Sequence, residues 1–314
     1  MAERRLLLLA VALLLACAAF LLWNLRQPVG FILGLRTTKL AALVLVGIAT
    51  GAATVLFQTV AMNRLLTPGI VGFDALFIFL QTLLVFTLGG AGYTQLPRML
   101  TFGIETVILM ACAMLLFGTL LRKGATDVTR MILTGVILGV LLRGLAEMIQ
   151  RLLDPSEFAV VQGAMFVSFG AVKKEALWIA APVLAVAVFL AWRMSASLDV
   201  AALGRTRARS LGLDHDRLVL SALALVAAMV AVSTALVGPI TFLGLLAASI
   251  AHGLMKSHRH AVLIPAAGLI GALILVAGQF VFERVLGLQS TLAVLVEFFG
   301  GFLFLALVLK RRPA

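Results

Sequence analysis

Ionisable side chains inside apolar runs are the first place to look for chemistry, and here they are Glu105, Arg143, Glu147 and Glu297. A charge in hydrocarbon is costly and often marks a proton, ion or substrate path. Arg143 and Glu147 stand one helical turn apart and are expected to pair. Glu105 is expected near the end of its run, within reach of headgroups, and Glu297 deeper, beside Phe298, Phe299, Gly300 and Gly301. Such scattered carboxylates form no relay, and structural pairing explains them as simply as a pathway does. His258 and His260 flank Arg259 in a basic turn and read as solvated surface, while His215 and His252 complete no ligand set with them. Cys17 and Cys112 lie in apolar runs without disulfide or metal spacing. No phosphate-cradling glycine loop, zinc-binding histidine pair or Gly-x-Ser-x-Gly elbow occurs. The sequence offers no catalytic site, cofactor site or metal centre.

The denser chemistry is cationic. Residues 195–217 hold Arg205, Arg207, Arg209 and Arg217 with Asp199, Asp214 and Asp216, between apolar runs at 176–192 and 218–237. Such a segment cannot cross a bilayer cheaply and must lie outside it. Its inner part, Asp199–Leu213, is expected to form one short helix, opened by Leu198 and Asp199 and ended by Gly212. This island reads as a handle by which another protein works the rest of the chain.

The elements around it are membrane spans. The chain of 314 residues is 63% hydrophobic and 12% charged, with mean hydropathy +1.16. A soluble domain is nearer half apolar and a quarter charged. The net charge of +12 sits in short clusters between apolar runs, as in the loops of a polytopic membrane protein, and does not point to nucleic acid. Ten spans are expected: 6–23, 40–62, 74–90, 99–121, 131–153, 176–192, 218–237, 240–255, 261–282 and 290–309. Leu14-Leu15-Ala16-Cys17 resembles a lipoprotein cleavage box, but the apolar run continues through Trp23, so the first span is expected to stay uncleaved.

Gly47-x-x-x-Gly51 and Gly135-x-x-x-Gly139 would let helices approach closely. NRLLTPGIVG at 63–72 reads as a turn, Ala91–Arg98 as an external turn, and 154–174 as an external stretch with a surface helix. Gly238-Pro239 should break its helix, because Pro lacks a donor and Gly is permissive.

Charge sets the expected orientation. Arg4, Arg5, Arg64, Arg122, Lys123, Arg130, Arg193, the island, Lys256, Arg259 and Lys310-Arg311-Arg312 fall on one side, which the positive-inside rule makes cytoplasmic along with both termini. Arg26, Arg36, Lys39, Arg98, Arg151, Lys173, Lys174 and Arg284 fall outside, with Arg26–Lys39 as an external segment.

With these motifs in order, the chain resembles the permeases of bacterial iron-siderophore and cobalamin ABC importers. Leu203-Gly204 followed by Ala208-Arg209-Ser210-Leu211-Gly212 is similar to their cytoplasmic coupling segment, L-A-L-G-E-x-x-A-R-x-L-G. Gly238-Pro239-Ile240-Thr241-Phe242-Leu243-Gly244-Leu245 looks like their G-x-I-x-F-[IV]-G-L signature, followed by His258-Arg259 and Leu263-Ile264-Pro265. Leu40–Gly51 and Asn63-x-Leu65-x-x-Pro68-Gly69-x-x-Gly72 match the second helix and its turn. The stretch NRLLTPGIVGFDALFIF resembles the branch serving catechol-type siderophores most closely.

The resemblance implies an all-α transmembrane permease domain spanning 1–314, of the type II ABC importer fold, in the bacterial inner membrane. It implies a dimer around a translocation path, with a second copy or a different permease. It further implies a cytosolic ABC ATPase dimer gripping Leu203, Gly204, Arg205, Ala208, Arg209, Leu211 and Gly212, the arginines pairing with its carboxylates and Leu203 and Leu211 anchoring. Gly238, Pro239 and Gly244 would form the gating break. A periplasmic or lipid-anchored siderophore-binding protein would dock on Arg36, Lys39 and Arg284. ATP hydrolysis would belong to the ATPase, so the chain is not expected to be an enzyme. Cobalamin, haem or another metal chelate is the alternative cargo; an ion-coupled secondary transporter is the alternative class. The chain departs from the family pattern at Arg205, which stands for a usual Glu, at Ala248-Ser249 for Pro-His, and at Gln279 for an Asp.

Overall fold

In the computed structural model, residues 2–24, 27–122, 128–287 and 292–310 are described. The expected positions Arg26, Lys123, Arg311 and Arg312, with Gln289 of the last turn, lie outside them. Thirteen α-helices follow one another among the described residues: α1 Ala2–Leu22, α2 Val29–Val60, α3 Asp74–Gln95, α4 Arg98–Arg122, α5 Val128–Gln150, α6 Pro155–Met165, α7 Lys174–Arg193, α8 Ser195–Ala201, α9 Arg205–Ser210, α10 His215–Val237, α11 Leu243–Met255, α12 His260–Phe280 and α13 Leu292–Lys310. Among the described residues seven helical stretches are long and apolar enough to cross a bilayer, and shorter apolar helices at Met99–Leu115, Leu243–Met255 and Val296–Ala306 bring the total to ten. In lipid every backbone amide must be satisfied within the chain, which is why helices carry the whole span.

At the centre is α2. Its 32 residues reach about 48 Å, well beyond a hydrocarbon core of about 30 Å. It packs on α12, α10, α11 and α7, while α1 lies on α12, α4 on α10, and α3 on α5 and α6. Small residues make the α2–α12 contact a backbone contact. A Cβ added at Gly47 would meet the Ala272 backbone at 2.5 Å, and one at Gly51 the Ala267 carbonyl oxygen at 2.3 Å. Both expected glycine pairs act this way, since Gly135 and Gly139 seat the turn at Val71 and Gly72, where Gly72 takes φ +113. In lipid, where apolar burial does not drive helices together, such close van der Waals packing does.

Three boundaries differ from expectation. Residues 29–39 are not a loop but the first turns of α2: the apolar stretch Val29–Leu35 continues the helix, and from it Arg36 reaches carbonyls at the end of α1 and Lys39 reaches Glu283. The turn expected at Ala91–Arg98 is shorter: α3 kinks at Gly89 (φ +72) and runs on to Gln95. The island is two helices, not one, parted where Gly204 takes φ +94; Gly212 (φ +82) follows the second as expected. The expected surface helix is α6, opened by Pro155, with Glu157 accepting from the Asp154 amide at 3.3 Å.

Gly51→Val should overpack the α2–α12 contact and cost about 1–3 kcal/mol, read as a lowered melting temperature of the purified protein. Gly253→Ala, with nothing within 4 Å of the new methyl, should leave it unchanged.

Candidate functional site

The island is anchored by one carboxylate. Asp199 on α8 accepts from both the backbone N–H and the ring Nδ1–H of His260, at 2.8 and 2.6 Å, and the ring Nε2 lies 2.7 Å from the Thr59 hydroxyl on α2. His260 is the first residue of α12, whose N-cap, Arg259, offers no side-chain acceptor. Asp199 therefore supplies from another helix the cap that the sequence does not place locally. His260 is 4% exposed, which corrects its reading as solvated surface: the imidazole is drawn inward by a partner on each nitrogen. His258 is exposed, as expected.

On α9, Arg205 and Arg209 both donate to Asp216 Oδ2, at 3.1 and 2.6 Å. Two of the arginines expected to reach an ATPase are thus held by the chain itself. Arg217, with its side chain 89% exposed, pairs with Asp214 at 3.0 Å, and Arg207 is exposed. Ala208 is buried, whereas Leu203 and Leu211 are 49% and 65% exposed, so the leucines present an apolar surface beside the cations. A cavity of ≈500 Å³ opens next to them, lined by Arg64, Asp199, Leu203, His258, Arg259 and others.

The break between α10 and α11 forms at Gly238, with φ +96, and Pro239 is buried beside it. Gly244, in the first turn of α11, is pressed on α2, where any Cβ would strike the Thr54 hydroxyl. The unwound stretch is held by side chains. Thr241 donates to Asp74 Oδ2 at 2.6 Å, and Thr67 donates to the Thr241 carbonyl at 3.3 Å. Asp74 is 6% exposed. Sequence reading passed over it because it sits where the third span begins; an Asp inside the apolar GIVGFDALF stretch was the available signal.

The other intramembrane charges fall differently from expectation. Glu105 does not reach headgroups: it is 4% exposed, accepts from Gln81 at 2.6 Å, and Tyr93 donates to the same Gln81 at 2.7 Å. Its helix face turns inward toward α3. Arg143 and Glu147 are both exposed on α5 and make no ion pair with each other. Spacing permits that pair, but the two side chains point out from the packed face instead. Glu297 is exposed on α13.

At the end opposite the island, Arg36 is 6% exposed and donates to the carbonyls of Leu21, Trp23 and Asn24, at 2.7, 2.8 and 3.3 Å. It caps the C-terminus of α1, where unpaired carbonyls favour a cation. Lys39 pairs with Glu283, which also accepts from Gln279 at 2.8 Å. Arg284 follows, half-buried, its Nε without a partner.

The model of the FecCD transport family matches residues 7–310. The chain belongs to this family. Among its FecCD relatives, the petrobactin import system permease protein YclO of Bacillus subtilis is 36% identical over 306 residues, covering 98% of this chain and 97% of that protein. The petrobactin permease FatC of Bacillus anthracis is 31% identical, with 88% and 78% covered. The vitamin B12 permease BtuC of Escherichia coli is 29% identical, with 96% and 93% covered. A transporter described as of the metal-chelate ABC type, solved facing inward, superposes with TM-score 0.83 at 22% identity, covering 99% of this chain and 100% of that one. The shared architecture is therefore the ABC importer permease fold.

Asp199→Ala should leave two buried donors on His260 without their acceptor, at a cost of about 1–3 kcal/mol. The expected result is faster hydrogen exchange at the first turn of α12 with the remainder of the helix protected.

Proposed function

We propose that this chain is the permease subunit of an ABC importer that carries a ferric siderophore across the bacterial cytoplasmic membrane. ATP hydrolysis in a separate cytosolic ATPase dimer drives it, a second permease completes the path, and a periplasmic or lipid-anchored binding protein delivers the cargo. The observation that carries this reading is the α8–α9 island, a charged segment outside the apolar helices yet fastened to α12 and α2 through Asp199, His260 and Thr59. The two petrobactin permeases among its relatives support a siderophore as cargo, and the B12 permease keeps cobalamin as the competing one.

The mechanism follows from the packing. ATPase closure would act on the exposed Leu203 and Leu211 and on the outward Arg207 and Arg217. Arg205 and Arg209, braced on Asp216, would stiffen α9 so that the push is not lost in the loop. Asp199 would pass the movement to α12, whose backbone lies against α2, and packed helices move as rigid bodies between discrete states. The unwound 238–242 segment and Gly244 would be the places where the pathway opens.

On this reading the island faces the cytoplasm with both termini, and the opposite end meets the binding protein. There Arg284 and Lys39 would be the contact cations, while Arg36 would act through α1 by holding its C-terminus in place. Opposite charges on the two partners would orient the docking.

The test is uptake of iron-55-loaded siderophore by proteoliposomes holding the complete transporter, with labelled cobalamin alongside. ATP-dependent iron accumulation without cobalamin accumulation is expected; cobalamin uptake alone would shift the cargo. Gly204→Pro cannot keep φ +94 or the Gly204 amide bond to Ala201 (3.0 Å), and should abolish uptake while the ATPase still hydrolyses ATP. Arg284→Glu should weaken binding-protein docking at low salt, with the loss shrinking at high salt as charges are screened.

A further inference from the structure

The turn before α3 and the break after α10 meet inside the molecule around a cavity of ≈30 Å³, its wall mixed from apolar side chains, such as Val46, Val230 and Ile240, and polar ones. Its wall includes Thr50 and Thr54 of α2, Thr67, Asp74, Ser233 of α10 and Thr241. This volume suits one water or one desolvated small cation. The wall is unusual for its depth, since Thr54 and Thr67 are each 1% exposed, Ser233 5% and Asp74 6%. The Ser233 hydroxyl is buried without a hydrogen-bond partner among the described residues. Among the described residues Asp74 receives one side-chain donor, from Thr241. A carboxylate and an unpaired hydroxyl facing one small space in a membrane protein are a costly arrangement unless something in that space satisfies both.

We propose that this cavity is a binding site for a sodium-sized monovalent cation, held by the Asp74 carboxylate with the hydroxyl oxygens of Ser233, Thr241 and their neighbours. Donating a proton leaves a hydroxyl its lone pairs, so Thr241 can bond Asp74 and still ligate. Oxygen-only ligands select hard cations, and a single lining carboxylate suits one positive charge better than a divalent ion.

Among the described residues no cationic side chain forms an ion pair with Asp74, and Arg143 is exposed on α5. Where helices break within a membrane, freed backbone and hydroxyl oxygens are a recurrent place for such an ion. Bound there, it would tie the turn at 67–73 to the unwound 238–242 segment, pinning both against α2. The inference rests on the geometry of the cavity and is independent of which cargo the permease carries.

The test is thermal unfolding of the purified full-length permease in lipid nanodiscs, titrated with sodium chloride against choline chloride at constant ionic strength. A saturable rise of about 3–5 °C with sodium alone is expected from binding to the folded state. Ser233→Ala should weaken the apparent sodium affinity roughly tenfold, since one lost ligand of ~1.4 kcal/mol is a factor of ten, and Asp74→Asn should abolish the response. Identical unfolding in sodium and choline would overturn the proposal and leave water as the occupant. So would an unchanged sodium titration in Ser233→Ala together with Asp74→Asn; should Asp74→Asn fail to fold, the wild-type and Ser233→Ala titrations still decide.

Discussion

The contact between α2 and α12 is the constraint on which the rest of the molecule depends. With Gly47 and Gly51 against Gly271, Ala272, Ala267 and Gly268, two backbones lie together with no side chain between them. Such a contact has no compressible layer. When one helix shifts, the other must follow, or the pair must separate completely. Long side chains at this seam would have allowed sliding in small steps, by rotamer changes. Small residues instead favour two or a few discrete arrangements, which is what a transporter that alternates between states requires.

That rigidity gives the Asp199–His260 contact its consequence. A carboxylate on α8 that merely touched α12 could move without moving the core. Asp199 instead caps the first turn of α12 and holds its first side chain, while the same imidazole reaches Thr59 on α2. Both members of the close-packed pair are thus joined at one buried residue to the segment outside the apolar helices. At the other end, Arg36 closes α1 onto α2 and Glu283 gathers Lys39 and Gln279, so α2 is tied at both of its ends.

Legibility in the sequence divided along a physical line. Features set by local chemistry were readable: the ten apolar helices, the small-residue faces and the Gly238-Pro239 break. What was not readable depended on pairing across the fold. Nothing near His260 in sequence announces Asp199, and an Arg in a stretch that could be loop or helix reads as surface until the end of α1 is seen above it. Arg143 and Glu147 fail in the opposite sense, because i,i+4 spacing establishes that a pair can form and not that its side chains will prefer each other to the medium outside. Asp74 was masked by the boundary drawn through it. A charge at the start of a span looks like a border residue, and only the approach of the 238–242 segment shows it to be interior.

Arg205 illustrates how a departure from a family pattern can be absorbed within one chain. A Glu at this position would face Arg209 one turn on and could pair with it directly, in the i,i+4 order that suits a helix. With Arg at both positions the two guanidinium groups would repel, and a helix as short as α9 has no propensity to spare for that. Asp216 resolves the conflict by accepting from both, from the first turn of α10. The bond that would have been internal to α9 becomes a bridge from α9 to α10, so the substitution changes how the island is braced. A partner surface facing it would then meet Leu203, Leu211, Arg207 and Arg217 in positions fixed by that brace, and specialisation between partners would show in these four side chains before it showed in Arg205 itself.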